Sequence, residues 1–247
     1  MLVLTGGRKM LEVVLLILVF LTSIITTIAG FGTSTIMVPI LVLFLPPIEV
    51  IIFVALLDFI TSLWRTTVFY KNIDWKVTLS FGGIGALASI MGAILIFKIS
   101  SLILNRLIGL FIIIYVILSY LKPFLYIKPT RFNRTLGGIL FGISTGLIGI
   151  GGPIRTMFLL TFNLQKAAYV ATQGAIEALV GVARITTYLI QGVSLHRLGL
   201  ILILSIPITF LGVKVGQAII NKISQKQFSI AVSIFLVIVG FKLILFS

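Results

Sequence analysis

The sequence has no cysteine, a single histidine, and only five acidic residues against 19 lysines and arginines. Without cysteine there can be no disulfide, thiolate metal site or cysteine nucleophile. The lone His196 falls in a short polar loop, where solvation is the default, so no metal ligand set and no histidine base is expected at depth. No GxxxxGK[ST] stretch occurs, so the chain carries no P-loop of its own. Polar sequence is scarce too: 10% of residues are charged, and no segment between the apolar runs is long enough for a soluble domain. What fills the chain is apolar sequence, 60% hydrophobic residues at a mean hydropathy of +1.29. A soluble globule of that composition would expose apolar surface throughout. Stretches of roughly 20 apolar residues, enough to cross a hydrocarbon core of about 30 Å as helices, recur along the whole length. The reading is an all-α polytopic membrane protein whose surroundings are the lipid bilayer.

The net charge of +14 lies mostly in short loops beside apolar runs, so topology accounts for it and nucleic acid is not an expected partner. Lys71, Lys76, Lys122, Lys128, Arg131, Arg134, Lys166, Lys222 and Lys226 fall on one face. Arg8, Lys9, Lys98, Arg197 and Lys242 fall on the other. The excess makes the first face cytoplasmic, which predicts a cell-membrane protein with both termini outside. The run LEVVLLILVFLTSIITTIAG after Arg8 and Lys9 reads as a retained helix, because it exceeds a signal-peptide core and no A-x-A pattern closes it.

Apolar runs and breakers divide the chain into a first repeat, residues 1–121, a basic linker, 122–135 (KPFLYIKPTRFNRT), and a second repeat, 136–247. Gly30-Phe31-Gly32 and Gly149-Ile150-Gly151 match at an offset of 119, which also superposes Asp58 on Glu177 and Arg65 on Arg184. GAILIFKIS from Gly92 aligns with GQAIINKIS from Gly216 at an offset of 124. Glycines and rare intramembrane charges falling in one frame indicate an internal duplication. Each half has three long spans plus a helical hairpin broken at its glycines, whose arms either re-enter or cross. Either way the crossings are odd in number, so the repeats are inverted, as in many secondary transporters.

A helix broken at bilayer depth leaves unpaired backbone groups that only protein or a watery cavity can satisfy. Thr33 and Ser34 fit a cap for the returning helix of the first break, and Gly152-Pro153 fits a cap followed by proline at the second. Each returning helix then aims its N-terminus at mid-membrane, where free N–H groups and a partial positive charge suit an anion. The expected cradle is Gly30, Phe31, Gly32, Thr33 and Ser34 from one break and Gly149, Ile150, Gly151 and Gly152 from the other, holding a small anionic substrate. Asp58 and Glu177 sit mid-span, and Arg65 and Arg184 follow seven residues later, roughly 10 Å along the helix. That separation predicts charge partners from the opposite repeat, and ionisable groups at this depth mark a pathway or proton relay. Asp58 or Glu177 would couple transport to protons, with Arg65 and Arg184 balancing charge. Arg155 has Ile36 as its repeat counterpart; a guanidinium one turn into the second cradle is an added anion ligand, or else an arginine that snorkels. The pattern G-x-G-x-x-A from Gly83 to Ala88 lacks a preceding strand and reads as helix packing.

The duplicated glycine-broken helices, KAAYVATQ from Lys166 to Gln173, and the small-residue helices ending GAILIFKIS and GQAIINKIS together resemble the sulfite exporter TauE/SafE family, over nearly the whole chain. The resemblance implies a transporter of small sulfur-containing anions, inorganic such as sulfite or thiosulfate or organic such as sulfonates. It also implies substrate contacts at Thr172 and Gln173, where the family carries a threonine-serine pair; the matching Phe53-Val54 is apolar. The expected protein is a secondary transporter, not an enzyme, needing no cofactor or metal, with a homodimer as a possible assembly. The alternatives are a passive anion channel and, less favoured, a membrane enzyme acting on lipid-linked phosphates, which would need a base beside the glycine turns.

Overall fold

The computed structural model describes residues 2–29, 32–121, 130–193, 199–219 and 236–245. Gly30, Phe31, His196 and the linker segment 122–129 lie outside them. Helices account for nearly all of the described chain. The first repeat holds α1 (Leu2–Ala29), α2 (Ser34–Leu41), α3 (Pro47–Val68), α4 (Trp75–Lys98) and α5 (Ser101–Leu121). The second holds α6 (Arg131–Ile148), α7 (Gly152–Leu159), α8 (Lys166–Ile190), α9 (Gly199–Ile219) and α10 (Leu236–Leu245). Four of these, α3, α4, α5 and α9, are long and apolar enough to cross a membrane on composition alone.

Local chemistry sets the ends. Asp74 caps α4, its carboxylate accepting from Val77 N at 2.9 Å, and Thr130 caps α6 by accepting from Asn133 N at 3.2 Å. Pro47 occupies the first turn of α3, where its missing N–H costs nothing. Within α4 the ladder loosens into a π turn over Thr78–Gly82 and tightens to 3₁₀ at Ile96–Lys98.

Packing registers give the topology. Across α3 and α8, Gly174 lies on Arg65 and Thr66, and Gly181 on Phe59. One number falls as the other rises, so these repeat-equivalent helices run antiparallel, as inverted repeats require. The same holds for α5 and α10, where Gly240 meets Ile113 and Gly109 meets Leu243. Between repeats, α4 and α6 run parallel: Gly138 lies on Phe81, Gly142 on Gly85 and Gly146 on Ser89. Their symmetry mates α9 and α1 do likewise, with Gly212 on Ser23 and Gly216 on Thr27. A Cβ at Gly92 would meet Ile143 O at 2.5 Å and lie 3.0 Å from Gly146, while one at Gly216 would meet Ile24 O at 3.0 Å and Thr27 at 2.8 Å. Ile143 and Gly146 stand 119 residues after Ile24 and Thr27, so the duplication read from the sequence is repeated contact for contact. Small residues let these helix pairs approach backbone to backbone, the main source of helix affinity inside a bilayer.

The same registers give the course of the hairpins. Gly151 packs against Thr145 and Phe141, and Phe158 packs on Gly137. As α7 advances, its contacts move back down α6, so α7 doubles back along it, and at eight residues, roughly 12 Å, it is too short to cross a hydrocarbon core of about 30 Å by itself. In the first, the amides of Thr33 and Ser34 meet Asp58 midway along α3. From there α2 must return toward the face where α3 begins, because only a few residues join Leu41 to Pro47. Outside the hairpins each repeat has three further helices, α3, α4 and α5 in the first and α8, α9 and α10 in the second. Phe53 and Val54, the apolar counterparts of Thr172-Gln173, are buried in the apolar cluster around α2 and α3.

Candidate functional site

Both breaks turn on a glycine in the left-handed region, Gly32 at φ +88° and Gly149 at φ +74°, where side-chain-bearing residues are strained. Gly149 ends α6. At Gly151 the constraint is space, since a Cβ there would overlap the Thr145 hydroxyl and the Phe141 ring.

Around these turns five charged side chains meet, all at most 2% exposed: Asp58 and Arg65 from α3, Arg155 from α7, Glu177 and Arg184 from α8. Arg155 Nη1 donates to Glu177 Oε2. Arg184 Nη2 donates to Glu177 Oε1 at 3.1 Å and to Asp58 Oδ2 at 3.5 Å, and its Nη1 donates to Thr145 O at 3.3 Å. Partners do come from the opposite repeat, as the Asp58–Arg184 contact shows. The Glu177–Arg184 pair, however, lies within α8, against the expectation that two turns are too far: both side chains are long, and they extend toward each other along one face. Arg155 is fully buried and so does not snorkel.

The repeats handle their carboxylates differently, and sequence explains why. Asp58 Oδ1 accepts from Thr33 N at 2.7 Å and Ser34 N at 3.2 Å, so the helix end of the first break is already occupied by a carboxylate from within the protein. At the second break the residues matching Thr33 and Ser34 are Gly152 and Pro153. Proline has no N–H to offer, and Glu177 instead takes the guanidinium of Arg155. That guanidinium also lies beside the first break, with its Nη2 3.5 Å from where a Gly32 Cβ would stand, and 5.5 Å above the Phe141 ring.

Donors outnumber acceptors here. Among the described residues, Arg65 Nε and Nη2, Arg155 Nε and Nη2, and Arg184 Nε are buried without a hydrogen-bond partner, as are the hydroxyls of Thr33 and Thr145. Ile150 is buried at the break. Gln173 reaches the edge of the site, its Nε2 3.5 Å from Thr156 Oγ1. Thr172 does not come to the site, because its Oγ1 accepts from Asp74 N at 3.0 Å and ties the α3–α4 turn to α8. Two residues join that the sequence reading passed over. Thr145 stands one turn before the break and has Thr26 as its repeat counterpart, a signal present in the same frame. The Tyr169 hydroxyl lies within hydrogen-bonding reach of Thr156 and Gln173 and feels the charge of Arg155.

Repeats that run in opposite directions, a glycine break in each and a buried charge cluster between them fit a polytopic membrane transporter. The family model of the sulfite exporter TauE/SafE matches residues 15–243, and the chain belongs to that family. No curated protein and no solved structure matches it.

Proposed function

We propose that the protein is a secondary transporter of a small sulfur-containing anion, sulfite, thiosulfate or an organosulfonate, with its site at the start of α7. The observation that carries this reading is the set of five buried, unpartnered guanidinium nitrogens on Arg65, Arg155 and Arg184 beside the glycine breaks. Planar guanidinium forks match the paired oxygens of a sulfonate or sulfite. The hydroxyl of Thr145 and the first amides of α7 complete the cradle.

Burial of the whole cluster corresponds to an occluded site. The anion competes with Glu177 for Arg155, and the displaced carboxylate is the group positioned to take a proton. Access alternates as the repeats rock about the antiparallel α3–α8 crossing, which holds charges from both. The face bearing Lys71, Lys76, Arg131 and Arg134 is the cytoplasmic one. Uptake by proteoliposomes tests the reading, with sulfite, thiosulfate, sulfate and sulfonates supplied with and without a pH gradient. Saturable uptake driven uphill by the gradient is expected; flux that only dissipates gradients would make the protein a channel.

A further inference from the structure

The charges of the buried cluster do not sum to zero. Arg65, Arg155 and Arg184 bring three positive charges, Asp58 and Glu177 two negative ones, and all five side chains are at most 2% exposed. A guanidinium keeps its proton in proteins. The other groups facing the cluster add no formal charge: Thr33 just before α2, Ser34 from α2, Thr145 from α6, Thr156 from α7, and Tyr169, Gln173 and Tyr188 from α8. Helix ends do not alter the tally. The partial positive charge at the start of α2, about half a unit, is met by Asp58, already counted. At the second break the last turn of α6, whose Thr145 carbonyl accepts from Arg184, carries the opposite partial charge to the start of α7 a few residues on. One positive charge is left over, and an uncompensated charge in so dry a setting is costly.

We infer that the site is built for a singly charged anion and takes a doubly charged one only together with a proton. The inference deepens the anion-site reading and rests on it. The favoured class is the monoanions, alkylsulfonates and hydrogensulfite, over sulfate or thiosulfate. When a dianion enters, Glu177 Oε2 leaves Arg155 Nη1 and accepts one proton from solution. The cluster then carries three positive charges and one negative, and again balances its ligand.

The test uses the purified full-length protein in detergent with methanesulfonate, a monoanion at every working pH, and sulfate and thiosulfate, dianions throughout. Calorimetry in buffers of different ionisation enthalpy reports affinity and proton uptake together. Methanesulfonate should bind with the same affinity at mildly acidic and mildly alkaline pH and take up no proton. Under alkaline conditions the dianions should bind weaker by roughly tenfold or more, gain affinity on acidification, and take up one proton each. Glu177→Gln raises the cluster's charge by one and should invert the preference toward dianions. Dianions that bind the wild-type protein as tightly as methanesulfonate at alkaline pH, without proton uptake, would overturn the valence rule and leave the anion site standing. Binding of none of these anions would overturn the site reading itself.

Discussion

Pro153 and Arg155 form a matched departure from the repeat symmetry, and reverting both tests whether they belong together. Arg155→Ile, the residue of the first repeat, removes the donor to Glu177 Oε2. Loss of a hydrogen bond to a charged group costs about 1.5–3 kcal/mol, so this variant should melt well below wild type. Pro153→Ser, again the first-repeat residue, supplies the N–H that Ser34 gives Asp58 at 3.2 Å. In the wild-type background that N–H has no free carboxylate, and the loss of proline's pre-set backbone should destabilise by about 0.4–1 kcal/mol. In the Arg155→Ile background it should instead receive Glu177, as the helix end of α2 receives Asp58, and recover much of the loss. The coupling between the two positions is then favourable by about 2 kcal/mol, within the range for residues sharing one network. Thermal unfolding of the four proteins in detergent measures it. Simple additivity, with Pro153→Ser harmful in both backgrounds, would refute the view that proline at this position is what releases Glu177 to Arg155.

Gly151→Val should abolish anion binding with the protein still in the membrane, since its side chain must occupy the space of the Thr145 hydroxyl and Phe141 ring, whereas Gly83→Ala, with open space around it, should bind normally in the same assay. Gly142→Ala sets a methyl against the Gly85 carbonyl and should destabilise the α4–α6 seam by about 1–3 kcal/mol, read as a fall in melting temperature; an unchanged value would mean the seam is looser than described. Asp58→Asn or Glu177→Gln should remove pH-driven accumulation yet spare counterflow exchange, and accumulation unchanged in both would leave these carboxylates as structural partners alone.

Much of the fold was legible because a bilayer imposes few solutions. Apolar run lengths marked the spans, and the shared offset of Gly30/Gly149, Asp58/Glu177 and Arg65/Arg184 exposed the inverted duplication. The exact ends of the hairpin arms were not legible, since the residues on which α7 starts and stops, Gly152 and Leu159, are fixed by packing such as Phe158 on Gly137. In the site, the arginines and carboxylates were readable as charges out of place. The occupation of the α2 end by Asp58 was not, because spacing along a sequence says nothing of which carboxylate folds onto which helix end. The Glu177–Arg184 pair was misjudged because axial rise alone ignores the reach of two extended side chains. Thr172 was assigned to the substrate through family likeness, and its hydroxyl instead meets Asp74 N, a loop amide no sequence pattern pairs with it.

The central claim is that the guanidinium of Arg155 at the start of α7, with those of Arg65 and Arg184 beside it, binds the transported anion. Its most direct test is the affinity of wild type, Arg155→Lys and Arg155→Gln for sulfite and methanesulfonate, measured by calorimetry on purified protein. Lysine keeps the charge and loses the two-pronged donor, while glutamine loses both. Affinity should fall in that order, with the glutamine variant weaker by about 1.5–3 kcal/mol; equal affinity in all three proteins would contradict the claim.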